Sequence, residues 1–483
     1  MNGTTNPLEL NEDEMKKIGY RVVDLIVEHF QSLPDKKPIT RATRNQMDWL
    51  LQEPLPEVPS DAMAVLDHVA KNIFGNSAHL DHPRFYSFVP SPNNIVSVFA
   101  DALATGFNTF SGAWVSSPGA AELEILATNW LLRLFGFPVV EGGGLFVSGG
   151  SMANLTAMAT ARQVKLQDDV QNGIAYWSDQ THSSVSRAAN VIGLNENQIR
   201  VIPTDDDFRL RLDVLRQTVE ADIARGLKPF LIIANGGTTN TAAVDPMYPI
   251  STLCRHHKIW MHVDAAYGGP SILTNKGKAV LSGIELADSL TIDPHKWFFQ
   301  PYEIGCLLVR DARYLSGTFR TQPVYLRDLA GAAEEINFYD MGIQLTRRFR
   351  ALKFYMSVKT FGLGAFRQAV EQGIELAEDV EQKLRGEQNW QVVTPAQLAV
   401  LTFRYVPTDR NLDNEAIDKL NAHISKRIIE EQRAMLATTI VNGRTVLRMC
   451  LINPRTSMSD IECTLNALQG YAKELLGGNF GQK

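Results

Sequence analysis

Apolar residues recur along this chain with two different periods, and the alternation between them outlines a fold. Between Asn11 and Leu33, Ile18, Val22, Leu25, Ile26 and Phe30 recur at helical spacing and predict an amphipathic helix. Pro34, Pro38, Pro54, Pro56 and Pro59 follow and predict extended pieces. A helix with such an arm buries little by itself and needs another surface, on this chain or a second one. Leu123, Leu126, Ala127, Trp130, Leu131 and Leu134 line a second helix over residues 123–135, which Gly136 ends. Beyond it, helical stretches alternate with short apolar runs at residues 174–177, 200–202, 230–234, 259–263 and 307–309, each reading as a buried strand. That alternation predicts an α/β domain with a mostly parallel sheet covered on both faces. From about Phe354 the pattern changes. A long helical region at residues 361–383 leads to alternating runs at 399–405 and 446–451, which predict a smaller α+β C-terminal domain. Charged stretches such as residues 209–216 read as solvated helix faces, and the small, polar residues 330–335 as a loop.

Composition narrows the class. The chain has 483 residues, enough for about two to four domains. Hydrophobic residues make up 45% and charged residues 21%, as in an ordinary globular protein. A formal net charge of -6 argues against a nucleic-acid binder, which needs a basic face. Cys254, Cys306, Cys450 and Cys463 are widely scattered, which fits a reduced, intracellular protein. The first residues lack the basic and apolar regions of a secretory signal, and no run approaches the 18 or so apolar residues of a membrane span. The expectation is a soluble, cytoplasmic protein.

Four segments carry candidate chemistry. Gly149-Gly150-Ser151-Met152-Ala153-Asn154 precedes a helical stretch. Glycines let backbone amides approach an anion, and a helix N-terminus favours negative charge, so the segment reads as a phosphate cradle or as a plain capped helix start. The same residues nearly match a serine-hydrolase nucleophile elbow, with Ala153 in the last glycine position, but the last histidine, His423, lies in a charged helical stretch. Asp264 ends the apolar run of the second segment, at the sheet edge where α/β proteins bind ligands. A buried carboxylate there needs a cationic partner, such as a protonated pyridine nitrogen, unless it is a cap or half of an internal ion pair. The third segment holds Lys296, in Asp293-Pro294-His295-Lys296-Trp297. Desolvation of a lysine among apolar residues lowers its pKa and makes it a nucleophile for carbonyls. The fourth is Ser178-Asp179-Gln180-Thr181-His182, where an isolated histidine is more often structural. No H-E-x-x-H zinc motif is present, His256-His257 reads as a solvated pair, and no metal site is expected.

In this order the segments resemble the pyridoxal 5'-phosphate (PLP) dependent group II decarboxylases, nearest to the aromatic L-amino acid branch that includes tryptophan and tyrosine decarboxylases. The likeness also takes in His82-Pro83-Arg84-Phe85, Ser117-Pro118-Gly119-Ala120-Ala121-Glu122-Leu123-Glu124 and Leu345-Thr346-Arg347-Arg348-Phe349-Arg350-Ala351-Leu352-Lys353. It implies the fold type I (aspartate aminotransferase-like) architecture: an N-terminal helical dimerisation segment (1–94), a large PLP-binding domain with a mostly parallel seven-stranded sheet (95–353) and a small domain (354–483). It implies that Lys296 bonds covalently to the cofactor, Asp264 pairs with the pyridine nitrogen, and His182 stacks over the ring. Gly150, Ser151 and Asn154 belong to the phosphate loop, Thr239 lies near the polar substituents of the ring, and Asp293 and His295 flank the lysine. One departure stands out: many animal and plant members carry Asn where this chain has Asp293, and a carboxylate repels phosphate unless protonated or turned away.

The resemblance further implies that Tyr325, 29 residues beyond Lys296, is the general acid that returns a proton to the substrate carbon. Relatives with Phe there release an aldehyde, so Tyr325 favours simple decarboxylation. Leu80, Phe88, Pro90, Ser91, Phe110 and Gly112 match the substrate pocket by position. Gly112 replaces a bulkier residue and is expected to open room for an indole, which leans the substrate toward tryptophan, with tyrosine, phenylalanine and DOPA behind. A homodimer is implied, with active sites at its interface. The alternatives are an aromatic aldehyde synthase, a decarboxylase for acidic or diamino acids, and a catalytically silent scaffold of the same fold.

Overall fold

The computed structural model describes residues 6–321 and 335–477. The N-terminal segment holds α1 (Glu12–Ser32), α2 (Arg44–Met47) and α3 (Ala62–His68). A capping box between Asn11 and Glu14 opens α1, as the sequence pattern requires. The proline-rich arm is not wholly extended. Thr43 and Asp61 cap the two short helices within it, so local capping overrides the proline breaks. Helix α1 contains no buried residue, and Met15, Tyr20 and Val23 are exposed.

Two longer helices, α4 (Ile95–Gly106) and α5 (Pro118–Leu134), lead into the large domain. Pro118 sits in the first turn of α5, where its missing N–H costs nothing, so the helix begins five residues before the apolar stripe. The chain then alternates through β1 (Gly143–Val147), α6 (Gly150–Leu166), β2 (Gly173–Ser178), α7 (Ser183–Val191), β3 (Ile199–Ile202), α8 (Leu212–Ala224), β4 (Lys228–Asn235), α9 (Met247–His257), β5 (Trp260–Asp264), α10 (Asn275–Val280), β6 (Ser289–Ile292), β7 (Gly305–Val309) and α11 (Arg313–Phe319). Among the described residues the seven strands form one sheet in the order β1-β7-β6-β5-β4-β2-β3. Only β7 runs against the others.

Alternation along the strands explains the two covered faces. Ala175, Trp177, Leu231 and Ile233 pack with Met158 and Ala161 of α6 and Val185 and Ala188 of α7. Ile174, Tyr176, Ile232 and Ala234 point the other way, into the core that holds Leu131 of α5, Leu215 of α8 and Ile250 of α9. A period of two thus feeds two helical layers from one strand.

The small domain begins with α12 (Ala351–Gly386), followed by β8 (Trp390–Gln397), β9 (Val400–Tyr405), α13 (Asn414–Glu430), β10 (Thr438–Val441), β11 (Arg444–Cys450) and α14 (Met458–Gly477). Its four strands form an antiparallel sheet, β10-β11-β9-β8. Helix α12 starts ten residues earlier than the periodicity predicts and is interrupted at Gly362, whose φ of +70° and ψ of 155° few other residues adopt. Among the described residues no helix is long and apolar enough to cross a membrane.

Candidate active site

The carboxyl ends of β4, β5 and β6 and the start of α6 converge on a cavity of about 430 Å³. Gly150, Ser151, Asn154, His182, Thr239, Asp264, Asp293, His295 and Lys296 all border it. The sequence motifs, up to 146 residues apart, are therefore brought to one place.

Helix α6 opens on Gly149, which provides no side-chain cap. The amides of Met152 and Ala153 bond to the Gly149 carbonyl, while a helix start leaves its earliest N–H groups, here those of Gly150 and Ser151, without intrahelical partners. A Cβ on Gly150 would stand 2.8 Å from Asp293 Oδ2 and 3.3 Å from the Ala266 Cβ. Glycine keeps that space open at the positive end of a 17-residue helix, a setting suited to an anion.

Asp264 is the last residue of β5 and is buried. Its Oδ1 accepts from the Ala266 amide at 3.1 Å and its Oδ2 from Asn154 Nδ2 at 2.8 Å. Asn154 lies a full turn into α6, and its amide group also reaches Ser184 Oγ at 3.0 Å. The side chain is thus engaged with Asp264 and not turned to the helix start.

Lys296 Nζ lies 2.9 Å from Asp293 Oδ2. Burial alone lowers its pKa, as expected from its apolar surroundings. The charge and hydrogen bond of Asp293, with the charge of Asp264, outweigh that effect and leave the ammonium raised above its ordinary value. The sequence expectation of a depressed lysine is corrected, because two carboxylates face it. Asp293 is itself buried, with Oδ1 lacking a hydrogen-bond partner among the described residues. His295 donates from Nδ1 to the Ile304 carbonyl at 2.7 Å, and burial holds its pKa below the usual histidine range.

His182 caps α7, with Nδ1 accepting from the Ser184 amide at 3.2 Å, and it borders the cavity. Of the expected substrate residues, Ser91 donates to the His295 carbonyl at 2.5 Å. Neither Ser91 nor Leu80, Phe88, Pro90, Phe110 and Gly112 borders this cavity within one chain, among the described residues. Within one chain the space beside Gly112 is occupied by Phe110, itself an expected pocket residue. A Cβ there would meet the Phe110 ring at 2.5 Å and the Leu345 carbonyl oxygen at 2.8 Å, so the glycine accommodates Phe110. Tyr325 and most of the 330–335 loop lie outside the described residues.

Sequence reasoning missed several supporting residues. Asn235 ends β4 in register with Asp264 and bonds to Ser178, Thr181 and Asp245. Arg350 pairs with Glu303 on the cavity wall at 2.6 Å. Arg347 and Glu124 form a buried ion pair at 2.5 Å, with the Phe146 amide and carbonyl as further partners. The signal was present, since both pairs draw on the Leu345–Lys353 motif, but the sequence does not show which acid meets which base.

The assembled groups match the features of PLP: an amine for its aldehyde, a buried carboxylate for its ring nitrogen, and an open helix start for its phosphate. Comparisons agree. A profile of the pyridoxal-dependent decarboxylase conserved domain matches residues 44–406. An aromatic-L-amino-acid decarboxylase of Bacillus atrophaeus is 46% identical over 97% of this chain and 97% of its own. A phenylacetaldehyde synthase of Arabidopsis thaliana is 29% identical over 98% and 99% of the two chains. The structure of Oryza sativa TDC with PLP and tryptamine superposes with a TM-score of 0.92 at 28% identity, covering 98% of this chain and all of that one. The chain therefore belongs to the pyridoxal-dependent decarboxylases, enzymes that use PLP to release carbon dioxide from amino acids.

Proposed function

We propose that this enzyme converts an aromatic L-amino acid, with tryptophan the first candidate and tyrosine, phenylalanine and DOPA next, to the arylalkylamine and carbon dioxide. The observation that carries the reading is the convergence of Lys296, Asp264 and the open start of α6 on one cavity. The aromatic substrate is supported by the 46% identical Bacillus enzyme and by the tryptamine named for the rice structure. When bound, PLP supplies an electron sink for the carbon that loses carbon dioxide. Lys296 supplies the amine that tethers it, and the first amides of α6 with Ser151 would hold its phosphate. The Asp264 carboxylate would face the ring nitrogen and hold a proton there. His182 would cover the ring on the open side, Thr239 and His295 would border it, and Tyr325 would return a proton to the substrate carbon. Leu80, Phe88, Pro90, Ser91, Phe110 and Gly112 are read as substrate-pocket residues completed across a homodimer interface, and the protein as cytoplasmic.

A second reading, an aromatic aldehyde synthase, is favoured by the likeness to phenylacetaldehyde synthases and opposed by Tyr325. Incubating the holoenzyme with the twenty amino acids while measuring amine, carbon dioxide and peroxide separates the two. Amine without peroxide is expected, from aromatic substrates. Tyr325→Phe is expected to divert the product to aldehyde, ammonia and peroxide; an undiminished amine yield without peroxide would remove Tyr325 from its role.

A further inference from the structure

Three buried residues behind Asp264 take no part in the reading above, yet they connect to it directly. Trp260, His262 and Asp264 alternate along β5, and His262 is in register with Ser289 on β6. Trp260 Nε1 lies 2.8 Å from Ser289 Oγ, Ser289 Oγ lies 2.7 Å from His262 Nδ1, and His262 Nε2 lies 3.0 Å from Asn154 Oδ1. Asn154 Nδ2 then meets Asp264 Oδ2 at 2.8 Å.

The sense of these bonds is fixed from both ends. An indole N–H only donates, so Ser289 Oγ accepts from Trp260 and passes its own proton to His262 Nδ1. The neutral ring then carries its proton on Nε2, donates to Asn154 Oδ1, and shares that donor with Thr291 Oγ1 at 3.3 Å. At the other end an ionised carboxylate only accepts, so Asn154 must present Nδ2 to Asp264. With the imidazole proton on Nδ1 instead, two acceptors would face each other at Asn154 and the serine proton would lose its partner. Flipping the amide to repair this would set oxygen against oxygen at Asp264. Burial supports the neutral ring: it brings the His262 pKa down to about 4, against the raising influence of Asp264. The five side chains are all buried, so water is not a ready substitute for a missing link.

We propose that Trp260, Ser289 and His262 are positioning residues, a one-way hydrogen-bond chain that locks the Asn154 amide and thereby aims the Asp264 carboxylate at the cofactor ring nitrogen. With Asn154 on Oδ2 and the Ala266 amide on Oδ1, both oxygens are held from the protein side. This rests on the reading of Asp264 as the partner of that nitrogen.

The test uses the full chain and three readouts: the PLP dissociation constant by absorbance titration, the bound-cofactor spectrum between pH 6 and 9, and the melting temperature of the cofactor-free protein. Ser289→Ala is expected to weaken PLP binding about tenfold, the order of one lost buried hydrogen bond, and to make the spectrum pH-dependent. Its melting temperature is expected to stay within about 3 °C of the parent. Ser289→Thr, which keeps the hydroxyl, should restore both cofactor readouts. Trp260→Phe, which keeps a ring and removes the N–H, should shift them in the same direction as Ser289→Ala. The proposal is overturned if Ser289→Ala and Trp260→Phe leave both readouts at parent values, or if Ser289→Thr is as impaired as Ser289→Ala. Asp264→Asn is the reference. If it alone changes the cofactor readouts, the chain fails while the reading of Asp264 stands; if it changes neither, that reading itself falls.

Discussion

At the scale of single residues, the decisive feature is the company Lys296 keeps. A lysine must be neutral to attack an aldehyde, yet Asp293 at 2.9 Å holds this one protonated above its ordinary range. The neutral fraction therefore rises with pH throughout the physiological range, by up to about tenfold per unit. Cofactor loading into the cofactor-free protein should accelerate from pH 7 to 8.5. Asp293→Asn, by removing the nearest carboxylate, should lower the lysine pKa and load faster at pH 7. Stopped-flow absorbance of the bound cofactor measures both, and a variant that loads more slowly with the same pH profile would count against Asp293 as the group that sets the lysine charge.

At the scale of elements, the site depends on how closely α6 approaches the loop after β6. Gly150 is where they meet, with only 2.8 Å between a hypothetical Cβ and Asp293 Oδ2. Gly150→Ala should displace the helix start or the carboxylate and weaken PLP binding by about tenfold or more, the scale of one or two lost anion contacts. Equilibrium titration reads this directly, and unaltered affinity would mean that the phosphate is held elsewhere. Helix α1 poses the opposite problem, since it is well capped but only partly covered in one chain, with none of its residues fully buried. Leu8, Leu50, Leu51, Leu55 and Val58 of the same segment are also exposed. Apolar exposure on that scale marks an interaction surface. Light scattering of the full chain is expected to give a dimer, and deletion of residues 1–33 a monomer; a monomeric full chain would refute the homodimer.

At the scale of the whole molecule, buried ionisable groups set the acid limit of stability. Burial brings both His82 and His262 down to about 4 from 6.5, and it lowers His295 as well. The unfolded chain protonates these sites near 6.5 and the folded chain only at lower pH. Their contribution to stability is therefore complete above about pH 7 and is lost as pH falls from 6.5 toward 4. Asp245, raised to about 6 by burial, works in the opposite sense between 3.8 and 6 and offsets about one of those protons. The net expectation is a melting temperature that changes little between pH 7 and 8.5 through these groups and declines below 6.5. Calorimetry across that range tests it, and an equal melting temperature at pH 5 and 7.5 would contradict it.

The sequence by itself determined the strands at residues 174–177, 230–234, 259–263 and 307–309, because each is buried on both faces and shows as an apolar run broken only by His262; it also showed the edge strand at 200–202, although Arg200 and Val201 there are not buried. It also determined the chemical groups of the site, since Lys296, Asp264 and Gly149-Gly150 stand in recognisable local settings. It did not reveal β6, where Ser289 and Thr291 interrupt the run; their hydroxyls are acceptable inside only because His262 lies opposite on β5. It did not reveal β1, whose two opening glycines read as loop. Only the tertiary structure decided the charge balance at Lys296, the filling of the space beside Gly112 by Phe110, and the engagement of Asn154 with Asp264. Each depends on distances between residues far apart in the chain. Local periodicity fixes which side chains are buried, but burial alone gives the wrong sign for the lysine until its neighbours are known.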